Sequence, residues 1–246
     1  PKFLRLALEK FRDEERIAFR RIAFLPDEKR LQTVSEVLEE SMLRRGIDLV
    51  VSTNAIHLYY NLADTVKSWR DLLGARGRFH VQSGNILNPK AGQDEWIIDQ
   101  TVETIHQAAM EICRSDSRFA PYREVLDDPV RMAAYDKLRR KYFLPPRPLD
   151  HYLAILEEAG FSDLTTSTAS IPAKVAEWRD FLRVYLEGPL GWVGGTAKIE
   201  GYPPTPRAVK HRELLLDLAM ARVFGSQQTF KACWTYINGQ RGPGAA

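Results

Sequence analysis

Two short polar segments hold the side chains best suited to chemistry. The first, Ser52-Thr53-Asn54-Ala55-Ile56-His57-Leu58-Tyr59-Tyr60, follows an apolar run, and the second is Ser83-Gly84-Asn85. Hydroxyl and amide groups bind polar ligands, and an imidazole also takes up a proton near neutral pH. The alternative interpretation is that both segments are ordinary loops with helix-capping residues.

The elements around these segments predict an α/β fold. Short apolar runs from Ile47 to Ser52 and from Arg78 to Ser83 predict strands, and the pattern from Asp64 to Leu73 between them predicts a helix. Upstream, we expect a strand over Ile17–Phe24 and a helix over Glu28–Arg45. Strands and helices that alternate in this way favour a parallel sheet covered by helices on both faces. The carboxyl ends of neighbouring parallel strands meet at one edge, where α/β proteins bind ligands.

The remaining pattern is mostly helical. Helices are predicted over Trp96–Cys113, from the Asp128-Pro129 cap to Tyr142, over Leu149–Ala159, over Val175–Leu186, and from the Thr205-Pro206 cap to Phe224. Strands are predicted over Phe161–Ser170 and Thr229–Ile237, with a tail from Gly239. We therefore divide the chain into a core over 1–92, a helical insertion over 93–148, a core helix and strand over 149–170, a second helical insertion over 171–225, and a last core strand with the tail over 226–246.

Composition excludes several classes of protein. The chain has 246 residues, of which 44% are apolar and 27% charged, a balance typical of soluble globular proteins. A net charge of +3 gives no reason to expect a nucleic-acid partner, and no apolar run approaches the roughly 20 residues of a membrane-spanning helix. Two cysteines, Cys113 and Cys233, cannot form a disulfide framework and fit a reducing, cytoplasmic compartment. The oligomeric state is left open, a homodimer included.

Standard catalytic and cofactor motifs are absent from the sequence. It contains no G-x-G-x-x-G, no P-loop, no H-E-x-x-H and no G-x-S-x-G. Its five histidines have no spacing that would place two metal ligands on one helix face, so no metal site is predicted.

The stretch DLVVSTNAIHLYYNLADTVKSWRDLLGARGRFHVQSGNI, from Asp48 to Ile86, resembles the second half of a class I S-adenosylmethionine-dependent methyltransferase. In that family a strand ending "lvvs..alH" leads into a helix, then a "LL.pGG.f" turn and the next strand, although Ala75-Arg76 stands here where the pattern favours Pro-Gly. PKFLRLALEKF, HYLAILEEAGFSDLTTST and TFKACWTYI resemble further parts of the family. The resemblance implies a Rossmann-like, mostly parallel sheet with a reversed last strand and two helical insertions that form a lid.

The resemblance also implies that part of the cofactor site lies outside this sequence. The family's glycine-rich turn and the acidic residue after its second strand do not occur here. We therefore expect the chain to belong to a longer methyltransferase. The alternative is a methyltransferase-like module without donor binding, which acts as a binding or partner-stabilising subunit.

Roles for individual residues follow from the same resemblance. Phe24 and Leu25 would contact the adenine of S-adenosylmethionine, and Thr53, Asn54 and Ala55 would flank its methionine part and reactive methyl group. His57 would be the general base for a hydroxyl or amine acceptor, or else a structural histidine that packs under the lid. The acceptor would be a small molecule, with no nucleic acid or membrane partner. Substrate contacts would come from Tyr59, Asn85, Tyr142, Arg147 and Trp192.

Overall fold

A mixed α/β arrangement, rich in helix, is seen in the computed structural model, which describes residues 2–59 and 61–242. The helices are α1 (Lys2–Lys10), α2 (Glu40–Arg45), α3 (Leu62–Leu72), α4 (Ile98–Ser115), α5 (Arg123–Leu126), α6 (Pro129–Tyr142), α7 (Leu149–Glu158), α8 (Val175–Val184), α9 (Glu187–Leu190), α10 (Ala197–Glu200) and α11 (Pro206–Phe224). The strands are β1 (Phe24–Leu25), β2 (Arg30–Leu31), β3 (Ile47–Thr53), β4 (Leu73–Ser83), β5 (Ile86–Leu87), β6 (Glu95–Trp96), β7 (Arg147–Pro148), β8 (Phe161–Lys174) and β9 (Thr229–Arg241).

Five strands form the central sheet. β3 pairs with β4 in parallel, β4 pairs with β9 antiparallel, and β9 pairs antiparallel with β8 along its whole length. The strands β3, β4 and β8 therefore run in one direction, and β9 runs against them. The short strand β6 pairs with β9 in parallel, beside Lys231 and Ala232. The predicted α/β fold, with a mostly parallel set of long strands and a reversed last strand, is confirmed.

Helix caps explain where two of the longer helices begin. The Asp128 carboxylate accepts hydrogen bonds from the backbone N–H groups of Val130 and Arg131, and Pro129 occupies the first turn of α6. At α11, the Thr205 hydroxyl accepts a hydrogen bond from the Ala208 N–H. Both caps are predicted by the sequence, because a capping side chain followed by proline is a strong helix-start signal.

The structure contradicts the predicted strand over Ile17–Phe24. Only Phe24 and Leu25 are extended in a ladder, and they pair with Arg30 and Leu31 in a two-stranded hairpin outside the central sheet. The segment has apolar residues but no partner strand, so its side chains stay exposed, as at Ile17 and Ile22.

The predicted helix over Glu28–Arg45 is also wrong for most of its length. It is helical only in a short 3₁₀ turn, Ser35–Val37, and in α2. Glu36 accepts a hydrogen bond from the backbone N–H of Thr33, and the Gln32 side chain accepts one from the N–H of Ala23. Such local side-chain bonds compete with the backbone ladder of a continuous helix.

Two further corrections concern the sheet. Leu49 and Val51 are each more than half exposed, and no helix in the described part of the chain covers them, so the prediction of helices on both faces fails at β3. β9 continues to Arg241, past the predicted start of the tail at Gly239, while residues 243–246 of the predicted tail lie outside the described residues.

The buried side chains form two hydrophobic clusters. The sheet cluster packs β3 and β4 against α3 and α7, with Val66, Phe79, Val81 and Leu156 at its centre. The helical cluster gathers α4, α6 and α11 around Ile105, Trp192 and Leu215, together with the first half of β9. Within residues 2–59 and 61–242, no helix is both long and apolar enough to cross a membrane.

Candidate functional site

The two polar segments meet at one edge of the sheet. β3 and β4 are parallel with Thr53 opposite Gln82, so the loops after them begin side by side. Asn54 joins them, because its backbone N–H donates to the Gln82 carbonyl (2.7 Å) and its side-chain Oδ1 accepts from the Gly84 N–H (3.3 Å). Asn54 has φ 47°, a left-handed conformation that asparagine tolerates better than most residues.

His57 lies in the 3₁₀ turn Ile56–Leu58 that follows the first loop, and it is only 6% exposed. Its Nδ1 is 3.0 Å from the Ser83 hydroxyl, and its Nε2 is 3.1 Å from the Asn85 side-chain nitrogen. The Ser83 hydroxyl also accepts a hydrogen bond from the Asn85 backbone N–H (3.1 Å). We refer to Asn54, His57, Ser83 and Asn85 as the strand-end network.

The hydrogen-bond partners fix the tautomer of His57. The Asn85 Oδ1 accepts from the backbone N–H of Asp99 at the start of α4 (2.8 Å), so the Asn85 amide nitrogen is the donor to His57 Nε2. Nδ1 then carries the imidazole proton and donates to Ser83. Both ring nitrogens are therefore engaged by protein groups, and a substrate proton has no free nitrogen to bind.

Burial and charge act on His57 in the same direction. Burial, followed by the positive charge of Arg147, lowers the pKa of His57 to about 4, because both disfavour the imidazolium form. The ring is neutral at pH 7 and does not titrate near neutrality. This arrangement favours the structural alternative for His57 over the general base.

Arg147 is held near the network by β7, which pairs with β5 just after Asn85. Its guanidinium donates to the Tyr59 carbonyl (3.3 Å), and within the described residues no carboxylate forms an ion pair with it. The Tyr59 ring packs edge-on against Trp69, with ring centroids 6.1 Å apart. Arg147, Tyr59, Asn85 and His57 are thus brought together at one end of the sheet.

Other residues predicted for the site lie elsewhere. Tyr142 donates its hydroxyl to Glu187 (2.6 Å) on the outer side of the helical cluster. Trp192 is 1% exposed and packs edge-on against His106 inside that cluster. Phe24, which is 57% exposed, and Leu25 lie in the hairpin outside the central sheet. The structure does not join these four residues to the strand-end network.

Thr53 and Ala55 flank Asn54 at the edge itself. Thr53 is the last residue of β3 and is exposed, and Ala55 precedes the 3₁₀ turn. The three residues predicted to contact the methyl end of the donor are therefore contiguous and partly accessible. The residues predicted to contact the adenine belong to a separate hairpin outside the central sheet.

Asp99 is the member of this region that sequence reasoning missed. It follows the first residue of α4, where an acidic side chain is normally explained by the helix dipole. Burial raises the pKa of Asp99 to about 7, although a hydrogen bond from Asn85 lowers it. No local feature of the sequence marks Asp99 as part of the site. It lies 14 residues after Asn85, and only the fold brings its backbone N–H to the Asn85 side chain.

No protein-family model and no curated protein sequence matches this chain. Solved structures do match it. They include the YcgJ protein from Bacillus subtilis, with a TM-score of 0.40, 12% identity and coverage of 81% of this chain and 65% of that one. They also include the cyclopropane synthase MmaA2 from Mycobacterium tuberculosis (TM-score 0.34, 13% identity, coverage 79% and 55%).

A third match is phosphoethanolamine N-methyltransferase 2 from Haemonchus contortus in complex with S-adenosyl-L-methionine, with a TM-score of 0.34, 11% identity and coverage of 80% of this chain and 34% of that one. The chain spans between 34% and 65% of the lengths of these three proteins. The matches include methyltransferases, as the sequence resemblance led us to expect. At these TM-scores and identities they identify neither an activity nor a ligand of this chain.

Proposed function

We propose that this protein transfers a methyl group from S-adenosylmethionine to a small-molecule acceptor at the edge formed by the ends of β3 and β4. The observation that supports the proposal is the strand-end network, which ties the loops after two neighbouring parallel strands together through the buried His57, Ser83 and Asn85 and the exposed Asn54. Open α/β sheets bind ligands at this edge. The sequence resemblance assigns the methyl end of the donor to the same loop.

The residues present fit one end of the donor. Thr53, Asn54 and Ala55 offer hydroxyl, amide and backbone groups, and the hydrogen bond that the Gly84 N–H donates to Asn54 Oδ1 holds their loop in place. The donor would supply a methyl group on a positively charged sulfur. Phe24 and Leu25 do not fit the adenine end, because their hairpin is not part of the sheet and Phe24 faces solvent.

This chain's contribution to the reaction is to position the acceptor. Methyl transfer is an in-line displacement, so the geometry in which donor and acceptor meet supplies much of the rate. His57 holds Ser83 and Asn85 in fixed orientations, and we assign it a positioning role. Tyr59 and Arg147 lie beside it and are proposed to contact the acceptor.

A second candidate function is a methyltransferase-like binding module that does not bind the donor. It is favoured by one observation, the position of Phe24 and Leu25 outside the central sheet. In such a module the strand-end network would bind a small molecule or stabilise a partner without transferring a methyl group.

Titration calorimetry with S-adenosylmethionine separates the two functions. The protein expressed from its complete gene should bind the donor, and Asn54→Ala should weaken binding by about tenfold, because it strains the left-handed backbone and removes the bond to Gly84. Asn54→Gly keeps the backbone conformation accessible and should lose less affinity. The control His151→Ala, an exposed residue on α7, should bind as the unaltered protein does.

Failure of the unaltered protein to bind S-adenosylmethionine would contradict methyl transfer and favour the binding module. Equal donor affinity in Asn54→Ala would contradict the position of the donor at the ends of β3 and β4.

A further inference from the structure

A cavity of about 200 Å³ lies between α4 and the segment that follows α6. Asp99, in its wall, connects it to the strand-end network, because the Asp99 backbone N–H donates a hydrogen bond to Asn85 Oδ1. Its wall is apolar where the chain turns after α6, at Phe143, Pro145 and Pro146, and polar where α4 and α6 face each other. Asp99 and Glu103 line it from α4, and Arg139 lines it from α6. Its volume of about 200 Å³ and mainly apolar wall suit a molecule of about the size of benzene with one polar group.

The positive charge in this cavity is already compensated. Arg139 is 6% exposed, and its guanidinium donates to Glu103 and to Asp136, each at 2.8 Å. A buried guanidinium with two carboxylate partners has little attraction left for a further anion. Arg140, which also borders the cavity, is exposed to solvent, where its charge is screened.

Asp99 is the polar group without such compensation. In the part of the chain that the structure describes, no lysine, arginine or histidine forms an ion pair with it, and its hydrogen-bond partner is Asn85. Glu103, on the same helix, differs from Asp99 in the direction of its pKa shift. Burial acts to raise the pKa of Glu103, but a hydrogen bond from Gln107 and the charge of Arg139 hold it below its ordinary value.

We propose that this cavity is the acceptor subsite of the methyl transfer, and that its ligand is a small apolar molecule carrying a hydroxyl or amino group bound to Asp99. Only the ligand's role as methyl acceptor rests on the proposed function. Its binding to Asp99 is inferred from the residues that line the cavity. The carboxylate accepts the ligand's O–H or N–H hydrogen bond. As the ligand's oxygen or nitrogen forms its bond to the methyl carbon and the bond from that carbon to the donor's sulfur breaks, the ligand's proton passes to a carboxylate oxygen of Asp99 and the electron pair of the broken O–H or N–H bond stays on the ligand atom.

Asp99 suits this role better than His57 does. Both nitrogens of His57 are engaged, and its pKa of about 4 leaves it a weak proton acceptor. Burial places the pKa of Asp99 at about 7, which matches the efficiency expected of a general base near neutral pH. Among the other charged groups that face Asp99, Glu103 and Arg139 form an ion pair, Arg140 is exposed, and His57 lies behind Asn85.

Benzylamine, which stays protonated between pH 6 and 8, is a suitable probe of this cavity, with benzoate as the anion of similar shape. The affinity of benzylamine, measured by NMR titration, should rise about tenfold from pH 6 to pH 8 as Asp99 ionises. Asp99→Asn should abolish this rise, and Asp99→Glu should restore part of it. Asp127→Asn, which removes an exposed carboxylate outside the cavity, should keep it. Benzoate should not bind.

Two results would overturn the proposal. One is an unchanged pH dependence in Asp99→Asn, with folding verified by circular dichroism. The other is binding of benzoate as tight as that of benzylamine. Calorimetry with S-adenosylmethionine on the same samples distinguishes failure of the acceptor subsite from failure of the proposed methyl transfer. Donor binding without Asp99-dependent probe binding would refute the subsite alone, and the reverse result would refute methyl transfer while the subsite stands.

Discussion

Truncation of the His57 side chain would remove one hydrogen-bond partner from each of two buried polar groups. The Ser83 hydroxyl would lose the donor on Nδ1, and the Asn85 amide would lose its acceptor on Nε2. A buried polar group left unsatisfied costs about 1–3 kcal/mol. We expect His57→Ala to lower the free energy of unfolding by about 2–4 kcal/mol, measured by urea denaturation. The exposed His151→Ala is the control, and equal stability of the two variants would contradict the buried network.

The pH dependence of stability tests the environment of His57. Its pKa is about 4 in the folded protein and near 6.5 in the unfolded chain, so below pH 6.5 the unfolded state binds more protons. This stabilisation is complete above pH 6.5 and is lost as the pH falls toward 4. When the pH is lowered from 7 to 5, the free energy of unfolding of the unaltered protein, measured by urea denaturation, should fall by about 2 kcal/mol more than that of His57→Gln. A constant difference between them would contradict a buried, neutral ring.

Ionisation of Asp99 changes the stability of the protein in the opposite direction over the same pH range. Its folded pKa of about 7 exceeds the ordinary value of 3.8, so its contribution is present at low pH and is lost as the pH rises through 7. Relative to Asp99→Asn, the unaltered protein should therefore lose about 2 kcal/mol of unfolding free energy from pH 5 to 7. Urea denaturation at the two pH values measures this difference, and the absence of any change between them would place the Asp99 carboxylate in water.

At the scale of single elements, the cap of α6 offers a matched pair of neighbouring residues. Asp128 accepts two backbone hydrogen bonds at the start of the helix, whereas the side chain of its exposed neighbour Asp127 caps nothing. Asp128→Ala should cost about 1 kcal/mol of unfolding free energy, and Asp127→Ala should cost little. Equal effects of the two substitutions would show that charge, and not the cap, stabilises this helix start.

The accuracy of sequence interpretation differs between elements for physical reasons. Strands β4 and β9 and the longer helices are predictable, because buried apolar residues recur along them at the period of a strand or a helix. Strands β3 and β8 are recognised from the residue types of their runs, although most of their side chains are not buried. The segment from Ile17 to Arg45 misleads, since apolar residues at similar spacing occur there without a partner to bury them. A strand depends on its neighbour as much as on its own residues, and a single sequence does not specify the neighbour.

The candidate site is predictable only in part for a related reason. Asn54, His57 and Asn85 follow strands whose carboxyl ends must coincide, so their proximity follows from the fold. Asp99 belongs to a helix that returns to the same edge from a later part of the chain, and the hydrogen bond from its backbone to Asn85 is a tertiary contact. Tyr142 and Trp192 have the right chemistry for a pocket but are engaged inside or beside the helical cluster.

At the scale of the whole molecule, β9 links the two hydrophobic clusters. Phe230 and Ala232 belong to the helical cluster, and Ile237 belongs to the sheet cluster. Because one strand contributes to both, we expect a single cooperative unfolding transition. Leu215→Ala in the helical cluster and Leu156→Ala in the sheet cluster should each cost about 2–5 kcal/mol. Val130→Ala, at an exposed position on α6, should cost little.

Fluorescence and circular dichroism provide the test of this cooperativity. Both signals should follow one curve in the unaltered protein, and each leucine variant should shift the two signals together. Two separate transitions, with only one of them shifted by each variant, would contradict the link through β9.

The central claim, that S-adenosylmethionine binds where β3 and β4 end, is tested most directly by mapping the donor on the protein with backbone amide NMR. On addition of S-adenosylmethionine to the protein expressed from its complete gene, the amide signals of Asn54, Ala55 and Gly84 should shift in a saturable way. Signals of the helical cluster, such as that of Leu215, should stay in place. Saturable shifts confined to the helical cluster, or no saturable shift at any concentration, would contradict the claim.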